Sequence, residues 1–82
     1  MTLHDTIPMM ESADYKERFR AEYYQTKIRH DKLLGMIERY EAGTLDFVPT
    51  CSVNVLKEQL KCMRHYLLIL RVRAGNEGID LN

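Results

Sequence analysis

The stretch Tyr66-Leu-Leu-Ile-Leu-Arg-Val72 decides how this chain is read. It lies inside a helical pattern, yet four apolar residues stand in a row, Leu67 to Leu70. With 3.6 residues per turn, four in a row point to most sides of a helix. Working back along the chain, Leu56, Leu60, Met63, Leu67, Leu70 and Ala74 recur at steps of 4-3-4-3-4, a heptad seam. The pattern predicts a helix from Val53 to Asn76. Its seam uses Leu67 and Leu70. Val55, Cys62, Tyr66 and Ile69 form a stripe beside the seam, while Leu68 and Val72 lie on yet another side. One partner helix covers a stripe, not three sides.

A second seam precedes it. Phe19, Tyr23, Thr26, His30, Leu33, Ile37 and Tyr40 follow steps of 4-3-4-3-4-3 and predict a helix from Asp14 to Glu41. Asp14-Tyr-Lys-Glu17 has the spacing of a capping box, and Ser12 is a rival cap. Gly43 is placed as the left-handed residue past the helix end. Gly35, inside the helix, costs about 1 kcal/mol relative to Ala unless it permits a close helix approach. Thr44-Leu-Asp-Phe-Val-Pro-Thr50 connects the helices. Its Leu45, Phe47 and Val48 predict that it folds down over the end of the pair. Thr50 or Ser52 caps the next helix, and Gly75 or Gly78 ends it. Ile79 and Leu81 then fall in a short acidic tail able to staple back.

The expected fold is therefore all-α: an antiparallel two-helix hairpin over residues 14–78, with an N-terminal arm at 1–13 and a C-terminal tail at 79–82. The arm offers Leu3, Ile7, Met9 and Met10 for packing. At 82 residues the chain is one small domain, of a size that often needs disulfides, metals or oligomerisation. Its surplus apolar faces need a cover, either a second copy of the hairpin or the arm. The second copy is the expectation, with Tyr66, Leu68, Ile69 and Val72 at the homo-oligomer interface.

Lys+Arg and Asp+Glu are equal at 12 each, so bulk charge points neither to nucleic acid nor to mimicry of it. Two cysteines, Cys51 and Cys62, and three histidines supply neither a disulfide framework nor a zinc set at the usual spacing. Free thiols suit a reducing cytosol. The N-terminus lacks signal-peptide character, and no apolar run approaches membrane-spanning length. The expectation is a soluble intracellular protein with no cofactor, no metal and no membrane partner.

Catalytic signatures are missing: there is no Gly-rich phosphate loop, no placed carboxylate pair, and no nucleophile with a base at a known spacing. The enzyme class is therefore set aside. His30 reads as a seam residue that sets register, and Cys51 as a helix-start residue. The cations are patterned. Between Val53 and Asn76 stand five Lys+Arg and one acid. Lys57, Lys61, Arg64 and Arg71 share one face. On the first helix Tyr24 and Lys27 lie in a row with Lys16 and Arg20. Aromatic rings among cations suit nucleotides, since rings stack on bases and cations meet phosphates. The candidate ligand-binding residues are Tyr24, Lys27, Lys57, Lys61, Arg64 and Arg71. Against this stands a plain solvated face, its cations paired with Glu17, Glu22, Glu38 and Glu41.

Gln59-Leu-Lys-Cys-Met-Arg-His-Tyr66, followed by Ile69-Leu70 and Arg73, resembles the closing helix of a family of very small phage and prophage proteins related to a protein of crAss-like gut phages. Tyr15-Lys-Glu-Arg18 and Lys32-Leu-Leu-Gly-Met-Ile37 fit the same plan. The likeness covers most of residues 14–81 and departs at the arm and at Thr50-Cys51. It implies a phage accessory protein in the cytoplasm of a bacterial host, and small phage proteins of this kind often block host defences. Two routes fit the chain. One is sequestration of a cyclic or ADP-ribose-type immune nucleotide in basic pockets of an oligomer, as phage sponges do against cyclic-nucleotide and Thoeris signalling. The other is anti-CRISPR-like binding of a host defence protein. A structural or assembly role without a ligand is the third class.

Overall fold

The computed structural model describes residues 1–82 and is all-helical, with no strand. A 3-10 turn, His4–Thr6, runs into a one-turn helix α1, Ile7–Met10. Two long helices follow, α2 at Tyr15–Glu41 and α3 at Val53–Glu77. Both lie within one residue of their expected bounds because the punctuation is local. The Asp14 carboxylate accepts from the Lys16 amide at 2.9 Å, satisfying an N-terminal donor of α2. The rival Ser12 acts one step earlier, its hydroxyl accepting from the Asp14 amide. The Ser52 hydroxyl caps α3 through the Asn54 amide. Gly78, at φ 67°, ends α3 in the left-handed conformation that a Cβ disfavours.

α2 and α3 pack antiparallel: Tyr15 meets Glu77 at one end, and Glu41 meets Lys57 at the other. The seams read from the sequence face each other. Phe19, Tyr23, Leu67, Leu70 and Ala74 form the main core, together with Ile79 from the tail. Further along, His30, Ile37 and Leu60 are buried, and Leu33, Met63 and Leu56 are half-buried. Ile79 and Leu81 do staple back, and the two tail carbonyls after Ile79 are held by α2. Arg20 donates to the Asp80 carbonyl at 2.6 Å and Tyr24 to the Leu81 carbonyl at 3.0 Å.

The arm packs along α2 and does not touch α3. Thr6 is fully buried, and Gln25 of α2 donates to its hydroxyl at 2.9 Å. Ala21, which points away from the α2 seam, is also fully buried. A small side chain there lets the arm sit close on the back of α2.

The connector departs from expectation. Phe47 and Val48 are exposed, Val48 by 88%, and only Leu45 and Pro49 are half-buried. The seam residue Tyr40 is exposed as well. At this end no arm or tail adds a third layer, so two helix ends offer the connector little apolar surface to fold onto.

Candidate functional site

The hairpin has two unlike flanks. On one, Tyr66 donates to Glu22 across the helix pair. At the far end Tyr15 donates to Glu77 at 2.7 Å, and Arg73 donates to both Tyr15 and Glu77. The Arg73 guanidinium also stands 4.9 Å over the Phe19 ring, a cation–π contact. The Tyr15 hydroxyl holds the Glu77 carboxyl below its usual range, and Glu77 in turn pushes the Tyr15 phenol up. Every polar group in this cluster has a partner, which makes it a clasp between α2 and α3.

The other flank carries the cations. Helical rotation puts Lys57, Lys61, Arg64 and Arg71 of α3 on the side of the hairpin that Tyr24 and Lys27 occupy on α2. The structure divides these six. Tyr24 is half-buried against the core, edge-on to Tyr23, and its hydroxyl is engaged by the tail. Lys27 pairs with Asp31 at 2.9 Å, and Lys57 with Glu41 at 3.3 Å. Arg71 donates to the Tyr23 hydroxyl at 3.2 Å. Lys61 and Arg64 are exposed and make no hydrogen bond or ion pair. They are one turn apart on α3 and form the open centre of the cationic flank.

His30 sits in the α2–α3 seam with 7% of its surface exposed. Its Nδ1 lies 2.9 Å from Asp31 Oδ1, and its Nε2 is buried without a partner. The Nδ1–H tautomer fits this geometry, donating to Asp31 and leaving Nε2 as a bare acceptor. That hydrogen bond, with help from Lys27, lowers the Asp31 carboxyl from its usual range. His30 thus behaves as a positioned seam residue.

Cys51 and Cys62 are both free and exposed. Cys51 lies in the connector ahead of the Ser52 cap, just outside the helix. No three His, Cys, Asp or Glu side chains are grouped to hold a metal ion. No helix is long and apolar enough to cross a membrane. The single chain has no pocket, so a small molecule held by the cationic flank would lie on an open face unless a second molecule closed over it.

Sequence reading missed the layer behind α2 and the occupation of Tyr24 by the tail. The signals were present but weak: a lone small residue, Ala21, among large ones on the back of α2, and Ile79 and Leu81 beyond the helix-ending Gly78.

This is a small helical protein whose distinctive chemistry is a one-sided cationic helix and an open apolar face. A protein-family model described as Sequestin matches residues 13–76, from the Asp14 cap to near the end of α3. The chain belongs to the Sequestin family. That description denotes sequestration and points to a binding protein rather than an enzyme. No curated protein and no solved structure matches the chain.

Proposed function

We propose that this is a phage-encoded anti-defence protein that sequesters an immune signalling nucleotide of the cyclic or ADP-ribose type, acting as a homo-oligomer in the cytoplasm of a bacterial host. The family description supports sequestration. The ligand class rests on one observation: Lys61 and Arg64 project from α3 with no partner, while the neighbouring cations are engaged within the chain. Unpaired cations on a helix face match phosphate oxygens, and a guanidinium does so in bidentate fashion. Lys57 and Arg71 extend the same row, their present partners being a solvent-exposed carboxylate and a phenol. Lys27 lies on this flank too, and Tyr24 contributes as a wall. Its ring is held by the core, and its hydroxyl is already taken.

Titration calorimetry against a panel of cyclic dinucleotides and ADP-ribose derivatives tests this reading. Arg64→Ala is expected to weaken binding about 10- to 100-fold, the range for a lost charge-assisted hydrogen bond. Arg64→Lys, which keeps the charge but not the fork, should lie between. Binding by no nucleotide at millimolar concentration, together with co-purification of a host effector, would replace sequestration with the second reading, an inhibitor of a host defence protein. Under that alternative the exposed Leu68, Ile69 and Val72 would contact the host protein instead of a second copy.

A further inference from the structure

The tail lies along a row of donors on α2. Lys16, Arg20 and Tyr24 stand one turn apart, on the flank that also carries Lys61, Arg64 and Arg71. Each donates to a main-chain carbonyl of the tail. Lys16 reaches Gly78 at 3.4 Å and Arg20 reaches Asp80 at 2.6 Å. Tyr24 reaches Leu81 at 3.0 Å and Asn82 at 3.4 Å. The steps match: four residues of helix rise about 6 Å, and two residues of extended chain span about 6.6 Å. The row is a ladder of donors already filled by oxygen acceptors.

The acceptors fill the ladder without answering its charge. Arg20 pairs with Glu17, but Lys16 has no carboxylate partner, and its one side-chain bond goes to a neutral carbonyl. Arg71 bonds the Tyr23 hydroxyl, one turn along α2 from Arg20, and has no carboxylate partner either. The acid of the tail does not supply one. The Asp80 carboxylate accepts from the Asn82 amide, within the tail itself. A phosphate brings acceptor oxygens and the opposite charge together, so it outcompetes neutral carbonyls for these cations. The end of the tail is also lightly held. Ile79 is buried in the core, and its amide bonds the Ala74 carbonyl at 2.9 Å. Beyond it Leu81 is half-buried, and Asp80 and Asn82 are exposed. Residues 80–82 can lift about Ile79 without opening the core.

We infer that Lys16, Arg20 and the Tyr24 hydroxyl are a further part of the anion site, and that residues 80–82 are a strap that fills it until phosphate oxygens displace the tail carbonyls. The inference rests on the sequestration reading for its nucleotide. With the strap lifted, Arg20 and Tyr24 of α2 face the same ligand as Arg71 of α3, so phosphate is gripped from both helices. The apparent affinity then depends on two things: the donors, and the fraction of chains whose strap is open.

Two variants that both loosen the strap separate these quantities. Leu81→Gly removes the tail's apolar hold and leaves every donor in place. It should tighten ADP-ribose binding several-fold in calorimetry by raising the open fraction. Arg20→Ala frees the Asp80 carbonyl but deletes a donor, and should weaken binding about 10-fold or more. Arg20→Lys, which keeps the charge without the fork, should lie between Arg20→Ala and wild type. A tail that only staples the fold predicts no such opposition. The second readout is motion. In a Cys51→Ser, Cys62→Ser background, a nitroxide on Asp80→Cys should be held in the free chain. It should become mobile when ADP-ribose or inorganic pyrophosphate is added at constant ionic strength, with helical circular dichroism unchanged. ADP-ribose binding that leaves the label held, and is indifferent to Arg20→Ala and Leu81→Gly, overturns the strap and leaves sequestration standing. Pyrophosphate that mobilises the label, with ADP-ribose and cyclic di-AMP both inert, supports the strap and counts against nucleotide sequestration. A label that stays held with every probe, or is already mobile in the free chain, overturns the strap.

Discussion

α2 and α3 are near twins in length, 27 and 25 residues, and each carries a heptad seam. They differ in what surrounds them. α2 has α3 in front, the arm behind over Ala21, and the tail beside it at Arg20 and Tyr24. α3 has α2 alone. Its seam residues Leu60, Leu67, Leu70 and Ala74 are buried, while Val55, Tyr66, Leu68, Ile69 and Val72 remain exposed. Apolar residues outside a seam therefore mean different things on the two helices. On α2 the chain supplies its own cover; on α3 the same kind of surplus stays exposed.

The largest effect that tests this contrast lies within the shared core. Leu70 is fully buried at the centre of the α2–α3 cluster. Leu70→Ala is expected to cost about 2–5 kcal/mol in urea unfolding, the range for truncating a packed leucine. Leu68→Ala, two residues away on the open side, should cost well under 1 kcal/mol at concentrations too low for association. Equal losses at the two positions would mean that α3 is enclosed in the free chain, and the contrast would disappear.

The seams made most of the fold legible beforehand. Heptad spacing marks which stripe of each helix is apolar, and two such stripes joined by a short connector have few ways to meet. The helix ends were legible for a similar reason, because Asp14, Ser52 and Gly78 act through bonds only a few residues away. Contacts across long separations were less legible. Nothing in the spacing of Leu3, Thr6 and Met9 says which helix the arm will choose, and the apolar connector residues Phe47 and Val48 suggested burial that two helix ends cannot provide. The cationic row of α3 was visible as a row. Which cations stay free was not, since that depends on Glu41, Tyr23 and Asp31 arriving beside Lys57, Arg71 and Lys27 in three dimensions.

The back of α2 offers a test of intermediate size. Ala21 is fully buried although it lies off the seam. Ala21→Leu has no room under the arm and is expected to cost about 1–3 kcal/mol, as overpacking does. Its signature should be local. Hydrogen exchange should speed up in residues 4–10 and at Gln25, whose side chain bonds Thr6, while α3 amides keep their protection relative to global stability. Faster relative exchange along α3 would show that the arm supports both helices.

The smallest effect separates the two helices most finely, because it concerns a residue with no neighbours. Gly75 is exposed near the end of α3, and a Cβ there meets nothing within 4 Å. In an isolated helix Gly→Ala gains about 0.5–1 kcal/mol, since alanine loses less backbone freedom on folding. Gly75→Ala should therefore raise the stability of the free chain by that amount, measured by thermal unfolding at low concentration. Gly35→Ala on α2 is the control: the added methyl would lie 3.4 Å from the Arg39 guanidinium, the end of a flexible side chain that can move aside. The two variants should behave alike in the monomer and part company as concentration rises. If a partner α3 approaches closely at Gly75, the methyl holds the helices apart, and the dissociation constant of the Gly75→Ala dimer rises while that of Gly35→Ala does not. A Gly75→Ala chain that is more stable and associates as tightly as wild type would place the contact nearer Tyr66 and Leu68, away from the end of α3.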